Sequence, residues 1–165
     1  QVNGGSYFDR VEARYFEVES GYDADVYGIS ARKSFANDFY FTADYYRHDH
    51  DLGGHLNQIF AGVGYKHALS DKFTGFVDVN YANANGSNGY SENGYSVQLG
   101  GVYRQSNNLE FSALVRHADV ELDSQEFELG ARYYASKNFS LGVSYMDGFE
   151  SDTLSAWFVS AAYHW

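Results

Sequence analysis

Ten short runs of alternating apolar and polar residues make up most of the chain, and this alternation constrains the fold more than any other feature. Five of them begin at Tyr7, Phe39, Phe73, Leu109 and Phe139, so their starts are 30 to 36 residues apart, and a second alternating run follows each one. Such alternation is typical of β-strands, because successive side chains point to opposite faces. Clusters of Gly, Asn, Asp and Ser separate the runs. The sequence therefore predicts ten strands in five hairpins and no helix.

Composition agrees with one all-β domain. A chain of 165 residues suits a single domain, residues 1–165, better than two. It contains 16 Tyr, 13 Phe and no Pro, which favours long uninterrupted strands. It has no Cys, so disulfides and thiolate metal sites are excluded. The first residue is Gln1 rather than Met, as expected of a mature chain after removal of a signal peptide.

Charge and hydropathy narrow the classes of partner. The formal net charge is −11, which argues against a nucleic-acid partner, because phosphate binding needs clustered Lys and Arg. No run of the sequence approaches the roughly 18 apolar residues that a membrane-spanning helix needs. The lack of such a run does not argue against a transmembrane barrel, because each strand of a barrel gives a much weaker hydropathy signal.

The central positions of one face of the predicted strands carry no charge. Its middle is aliphatic or small, and aromatic residues gather at both ends, a banding that a bilayer interface favours and a buried core does not require. We therefore interpret this face as lipid-facing, with its aromatic residues forming girdles at the membrane surfaces. These girdle residues are Tyr15, Tyr45, Tyr65, Tyr81, Tyr103, Tyr133, Tyr145, Trp157, Tyr163 and Trp165.

The opposite face mixes charges of both signs with Gly, Ser and Ala, which suits a confined lumen better than a solvated surface. Its predicted charge network or pore lining comprises Arg10, Glu12, Arg14, Arg32, Asp44, Lys66, Asp78, Arg104, Arg116, Glu128 and Arg132. The alternative interpretation reverses the faces and gives a soluble β-barrel that carries a small ligand inside an apolar core.

The joints between the runs are of two kinds. "FAND", "LSDK", "QSNN" and "ASKN" are tight turns, whereas the other joints, such as "ESGYDAD" and "DVELDSQE", are longer and acidic. In lipid only helices and closed barrels satisfy every backbone polar group. The predicted fold class is therefore all-β: a closed antiparallel up-and-down transmembrane β-barrel of ten strands, with short periplasmic turns and longer acidic external loops. Eight strands is the alternative.

The last nine residues, "WFVSAAYHW", alternate aromatics and end on Trp165. This ending resembles the C-terminal signal of bacterial outer-membrane barrels, of which the OmpA and OmpX types are nearest in size. The resemblance implies integral insertion in the outer membrane, with loops at the cell surface. It also implies contact with membrane lipid and lipopolysaccharide, and recognition of the last strand by the barrel-assembly machinery.

The function of such a barrel depends on its lumen, and two interpretations stay open. Side chains can fill a barrel of about this size, so paired charges would close it, which suits a structural or surface-interaction role. Alternatively the charges line a narrow channel for small solutes or ions. In that case the small residues Gly62, Gly64, Gly100, Gly130 and Gly142 would leave a path for water.

The segment "RHDHDLGGH" is the strongest candidate for metal binding. It places His48, His50 and His55 near Asp49 and Asp51, and such ligands suit a divalent transition metal. A solvated polar loop is the alternative, and it is the one we favour. We expect no cofactor beyond a divalent cation held loosely at the acidic external loops. An unidentified protein partner at those loops is a further expectation.

The sequence does not predict an enzyme. An omptin-like surface protease is a remote alternative, because His48 and Asp49 end one run while His117 and Asp119 end another. Neighbouring residues of a strand point to opposite faces, and His117 and Asp119 share the lipid-facing parity. No Ser stands in a pattern that would activate it as a nucleophile.

Overall fold

The computed structural model describes residues 6–18, 24–50, 55–86, 89, 91–120, 122–148 and 156–165. Its strands are β1 (Arg10–Val18), β2 (Ala24–Phe35), β3 (Phe39–His50), β4 (His55–Ala68), β5 (Phe73–Gly86), β6 (Ser91–Arg104), β7 (Leu109–Val120), β8 (Leu122–Tyr134), β9 (Phe139–Gly148) and β10 (Ala156–His164). Within the described ranges, no helix is long and apolar enough to cross a membrane.

The ten strands form one closed sheet. Each strand pairs antiparallel with its neighbours in sequence, and β1 pairs with β10, with Arg10 opposite His164 and Glu12 opposite Ala162. This up-and-down closure confirms the ten-stranded prediction over the eight-stranded alternative. We call the end with connections 36–38, 69–72, 105–108 and 135–138 the turn end, and the opposite end the loop end.

Alternation along the strands separates an apolar outside from a polar inside. Ile29 and Leu99 on the outer surface are 54% and 59% exposed, whereas Glu12 and Asp78 in the interior are each 1% exposed. A soluble barrel would bury the apolar residues and expose the charges, since burial of apolar surface stabilises folding in water. The faces of this barrel are arranged as a transmembrane barrel requires.

Several strand limits differ from the sequence prediction. β7 runs to Val120 and β8 starts at Leu122, so most of "DVELDSQE" is strand rather than a long loop. At the other end of the barrel, β1 begins at Arg10, three residues later than the alternation suggests. The residues just before Arg10 form a turn instead of extending β1.

Residues 6–9 form a tight turn that we call the N-terminal turn. Asp9 N–H donates to Ser6 O at 3.2 Å, and this reversal directs Tyr7 and Phe8 into the turn end of the barrel, where they are 6% and 5% exposed. Alternation alone would place neighbouring residues on opposite faces. The turn instead buries both rings, so the sequence prediction of a strand from Tyr7 is wrong.

The close approach of the Tyr40 ring explains why residue 64 is a glycine. It lies opposite Tyr40 in the β3–β4 ladder, and a Cβ added to Gly64 would lie 2.2 Å from Tyr40 Cζ. The Tyr40 ring therefore occupies the space that a side chain would need, and its hydroxyl donates to Asp78 Oδ2 at 2.6 Å.

Gly64→Ala should lower the free energy of unfolding by about 1–3 kcal/mol, because overpacking must displace the Tyr40 ring. The matched control is Gly75→Ala on β5, where the new Cβ would meet Leu69 Cδ1 at an ordinary 3.7 Å. Urea unfolding of the refolded barrel in detergent measures both. Equal stability of the two variants would contradict the tight Tyr40–Gly64 contact.

Candidate functional site

A charge cluster lies within the barrel, made by Arg10, Glu12 and Arg14 of β1 and Arg132 of β8. Arg14 Nε and Arg132 Nη2 both donate to the Glu12 carboxylate, and Arg10 Nη2 lies 3.7 Å from Glu12 Oε1. One carboxylate therefore faces three guanidinium groups. The period-two geometry of β1 produces this directly, because it turns residues 10, 12 and 14 to the same face.

Serine hydroxyls complete the surroundings of Arg132. Arg132 Nη1 donates to Ser140 Oγ at 2.8 Å, and Arg132 Nη2 lies 3.0 Å from Ser160 Oγ. A buried charge is costly unless it is paired and hydrogen-bonded. Ser140 of β9 and Ser160 of β10 supply these hydrogen bonds, so the charge cluster needs small polar residues at these two positions.

Three further ion pairs connect β6, β7 and β8. Arg116 lies 2.5 Å from Glu126 and 3.4 Å from Glu128, and Arg104 lies 3.2 Å from Glu110. The sequence prediction included Arg104, Arg116 and Glu128 but missed Glu110 and Glu126. Both omitted residues have the inward parity of their strands, and that signal could have identified them.

Asp44 of β3 and Asp78 of β5 are buried carboxylates without an ion-pair partner among the described residues. Asp78 accepts hydrogen bonds from Tyr40 Oη and Asn80 Nδ2, each at 2.6 Å. Asp44 is 6% exposed, and its Oδ1 has no hydrogen-bond partner among the described residues. The expectation that the lumen charges pair therefore describes Glu12 and Glu128 but not these two.

The remaining predicted lumen cations bind hydroxyls. Arg32 Nη1 donates to Ser30 Oγ at 2.8 Å, and Lys66 Nζ donates to Ser34 Oγ. Lys66 also lies 4.9 Å from the centre of the Phe8 ring. Both cations lie toward the turn end, beside the N-terminal turn.

Apolar layers enclose the charge cluster on both sides. The lower layer, at the turn end, contains Tyr7, Phe8, Tyr40, Phe76, Val102 and Leu114. The upper layer, toward the loop end, contains Phe16, Val26 and Phe158, with Tyr46, Met146 and Ala156 packed against it.

Two arginines connect the charge cluster to these layers. Arg10 Cζ lies 4.1 Å from the centre of the Tyr7 ring, and Arg14 Cζ lies 5.0 Å from the centre of the Phe158 ring. Sequence reasoning missed the layers because it treated the lumen as uniformly polar. The inward parity of Tyr40, Phe76 and Phe158 carried the signal.

Little space remains between the layers. A cavity of ≈ 10 Å³ lies among lining groups that include Tyr7, Glu12, Arg132 and Phe158. A single water needs about 10–15 Å³ by this measure, so the cavity holds about one. The glycines do not widen it: a Cβ on Gly100 would lie 2.7 Å from Phe76 Cζ.

The aromatic residues predicted as girdles lie on the outer surface in two rims. Tyr15, Tyr45, Tyr81, Tyr145 and Trp157 lie toward the loop end; Tyr65, Tyr103, Tyr133, Tyr163 and Trp165 lie toward the turn end. Lys33 Nζ lies 5.5 Å from the centre of the Trp165 ring, in a cation–π contact. Their role as membrane girdles stays a prediction.

The histidine segment is described only in part. His48 is half-buried with Nε2 3.3 Å from Gln58 Oε1, and His55 is exposed, whereas Asp51 and the side chains of Asp49 and His50 lie outside the described residues. Among the side chains that are described, no three His, Asp or Glu are arranged to hold a metal ion. The metal site therefore stays a prediction.

The comparisons with known proteins give structural likeness alone. No protein-family model and no curated protein matches the chain. A KdgM porin has 12% identity and a TM-score of 0.57 over 94% of this chain and 99% of its own. An outer membrane channel from Pseudomonas putida F1 has 7% identity and a TM-score of 0.58, covering 98% and 96%.

Neisserial surface protein A has 15% identity and a TM-score of 0.50, covering 94% of each chain. At these identities the likeness establishes the fold, which is a closed β-barrel of the bacterial outer-membrane type. The KdgM and Pseudomonas proteins are described as a porin and a channel rather than as enzymes.

Glu12→Gln should lower the free energy of unfolding by about 3–5 kcal/mol, because it leaves buried guanidinium groups without their shared carboxylate. The control is Glu126→Gln, since Glu126 is only partly buried and Arg116 keeps Glu128 as a partner. Urea unfolding in detergent should show the larger loss for Glu12→Gln. Equal losses would contradict a central role for Glu12.

Proposed function

We propose that this protein is an integral outer-membrane β-barrel that acts as a narrow channel for small ions or solutes and is closed in the described conformation. The observation that carries the proposal is the N-terminal turn, which inserts Tyr7 and Phe8 into the turn end of the lumen. The porin and channel structures that share the fold give independent support.

The N-terminal turn is a stopper that can move without opening the sheet. Strands β1 to β10 are held by continuous ladders, whereas the turn is held by ring contacts and a few hydrogen bonds. Phe8 lies 4.9 Å from Tyr40 and 5.7 Å from Phe76 between ring centres, and His164 Nδ1 lies 2.8 Å from Ser6 O. Aromatic contacts of this kind contribute about 0.5–1.5 kcal/mol each beyond burial, and withdrawal breaks these contacts without breaking a strand ladder.

The charge cluster and the upper layer form the remaining barriers of the proposed channel, and both consist of strand side chains. With the stopper withdrawn, Arg10, Glu12 and Arg132 would face the opened turn end. A cluster of long side chains rearranges by rotamer changes, which take place much faster than strand separation. The lining charges would then select among permeating ions by sign.

Orientation and partners follow from the same proposal. The loop end faces the cell exterior and lipopolysaccharide, and the turn end with Trp165 faces the periplasm. The outer apolar surface contacts membrane lipid, and the aromatic C-terminal strand is recognised by the barrel-assembly machinery. The two aromatic rims support this placement, because aromatic side chains favour both membrane interfaces.

A permanently closed barrel with a structural or surface-interaction role is the second candidate. The cavity of ≈ 10 Å³ favours it, because a space of that size passes no solute while the rings stay in place. One KdgM porin structure is described as a complex with disordered oligogalacturonate. The cavity between the two layers is too small for a sugar ring, so the proposal is limited to small ions and solutes.

The double variant Tyr7→Ala/Phe8→Ala should conduct in a planar lipid bilayer, whereas the unaltered protein should be closed for most of the recording. The double variant removes from the lower layer the two rings that the N-terminal turn supplies, while every strand residue is kept. Tyr7→Phe is the matched control, because it keeps the ring and should stay closed. A double variant that shows the heat-modifiable gel shift of a folded barrel yet never conducts would favour the permanently closed barrel.

Trp165→Ser should reduce the fraction of the protein assembled in the outer membrane while refolding of the purified chain in detergent is unchanged. The proposed reason is loss of the aromatic residue that follows β10, within the segment that the assembly machinery reads. Trp157→Ser is the control, because Trp157 is similarly exposed but lies at the loop end of β10, whereas Trp165 directly follows the turn end of β10. Equal assembly of both variants, measured by protease-resistant barrel in membrane fractions, would contradict the proposed signal.

A further inference from the structure

We propose that Arg10 and Arg32 form a binding site for a small anion, and that the Tyr7 ring covers this site in the described conformation. The ligand class is a halide or a small oxyanion such as phosphate or a carboxylate. The inference rests on the proposed channel function for the route by which an anion permeates, although binding itself requires only withdrawal of Tyr7.

Two positive side chains are placed side by side inside the barrel. Arg10 of β1 lies directly opposite Arg32 of β2 in the ladder, and each is 2% exposed. Like charges opposite each other on one face of a sheet repel, and burial strengthens the repulsion because water is excluded. Such a pair needs a compensating negative group.

The protein's own carboxylates do not fully supply that group. Glu12 is shared with Arg14 and Arg132, and it lies 3.7 Å from Arg10. Within the described part of the chain, Arg32 has no carboxylate at salt-bridge distance. The Nε atoms of both Arg10 and Arg32 are buried without a hydrogen-bond partner.

Two other acids that face this region, Asp78 and Glu110, already accept hydrogen bonds from other side chains. Asp78 accepts from Tyr40 and Asn80, and Glu110 accepts from Arg104 and Tyr134.

Asp44 is the exception, because its Oδ1 has no hydrogen-bond partner in the described residues. It is therefore an internal competitor for Arg32 in an opened barrel.

The Tyr7 ring occupies the place of the missing anion. Its centre lies 4.1 Å from Arg10 Cζ and 5.3 Å from Arg32 Cζ. The electron-rich face of the ring attracts both cations, but it does not accept a directed hydrogen bond as an oxygen or halide would. An anion that replaced the ring would provide the charge and the acceptor that the two Nε donors lack.

Selectivity of the opened barrel is the first test. Tyr7→Ala/Phe8→Ala is recorded across a potassium chloride gradient, and the sign of the reversal potential should show preference for chloride over potassium. Adding Arg32→Gln should lower the chloride-to-potassium permeability ratio several-fold. Lys72→Gln, which removes a positive charge from an exposed turn, is the control and should leave the ratio unchanged.

Binding without permeation is the second test. Calorimetric titration of the detergent-solubilised double variant with inorganic phosphate should show saturable binding that Arg10→Gln or Arg32→Gln abolishes. Asp44→Asn should tighten binding, because it removes the internal competitor. Tyr7→Ala alone serves where the double variant does not fold, and the heat-modifiable gel shift reports folding in each case.

The outcomes separate this inference from the proposed channel. Conductance with no chloride preference, together with no phosphate binding, overturns the anion site and leaves the channel standing. Phosphate binding that depends on Arg10 and Arg32 in a folded but silent barrel supports the site and overturns the channel. Phosphate binding that persists in both Arg→Gln variants overturns the assignment to this pair.

Discussion

Closure of the sheet by β1 and β10 is the constraint on which the rest of the structure depends. A backbone polar group that faces lipid has no water to bind, so the first and last strands must satisfy each other. In that pairing Arg10 lies opposite His164 and Glu12 opposite Ala162, and alternation along each strand divides its residues between the two faces of the closed sheet. Apolar residues form the outer surface, and the polar residues are confined in a narrow interior.

Confinement explains the chemistry of the lumen. Charges enclosed at this diameter cannot be solvated individually, so they share partners, as Arg14 and Arg132 share Glu12. Rings fill the space above and below the cluster, since a void would forfeit packing contacts. In the same confined lumen, Arg10 and Arg32 have no carboxylate of their own among the described residues. The face of the Tyr7 ring partly offsets their positive charge.

The fold and much of the lumen were predictable from the sequence, because strand parity is a purely local property. Parity alone identifies Glu12 and Asp78 as inward and Ile29 as outward. It fails at Tyr7 and Phe8, since the alternation continues into a segment that turns back instead of pairing. It also does not identify partners: Asp78 binds Tyr40 across two ladders, and such contacts depend on register around the whole barrel.

The two halves of the lumen differ in how they can respond to change. The upper layer is built from strand residues such as Phe16 and Phe158, so the closed sheet fixes the backbone that carries it. The lower layer depends on Tyr7 and Phe8, which no strand ladder holds. A barrel that must stay closed permanently could build both layers on strands. In the proposed channel, the N-terminal turn supplies two of the six residues of the lower layer, and its withdrawal would begin opening at the turn end, beside the two arginines that Tyr7 covers.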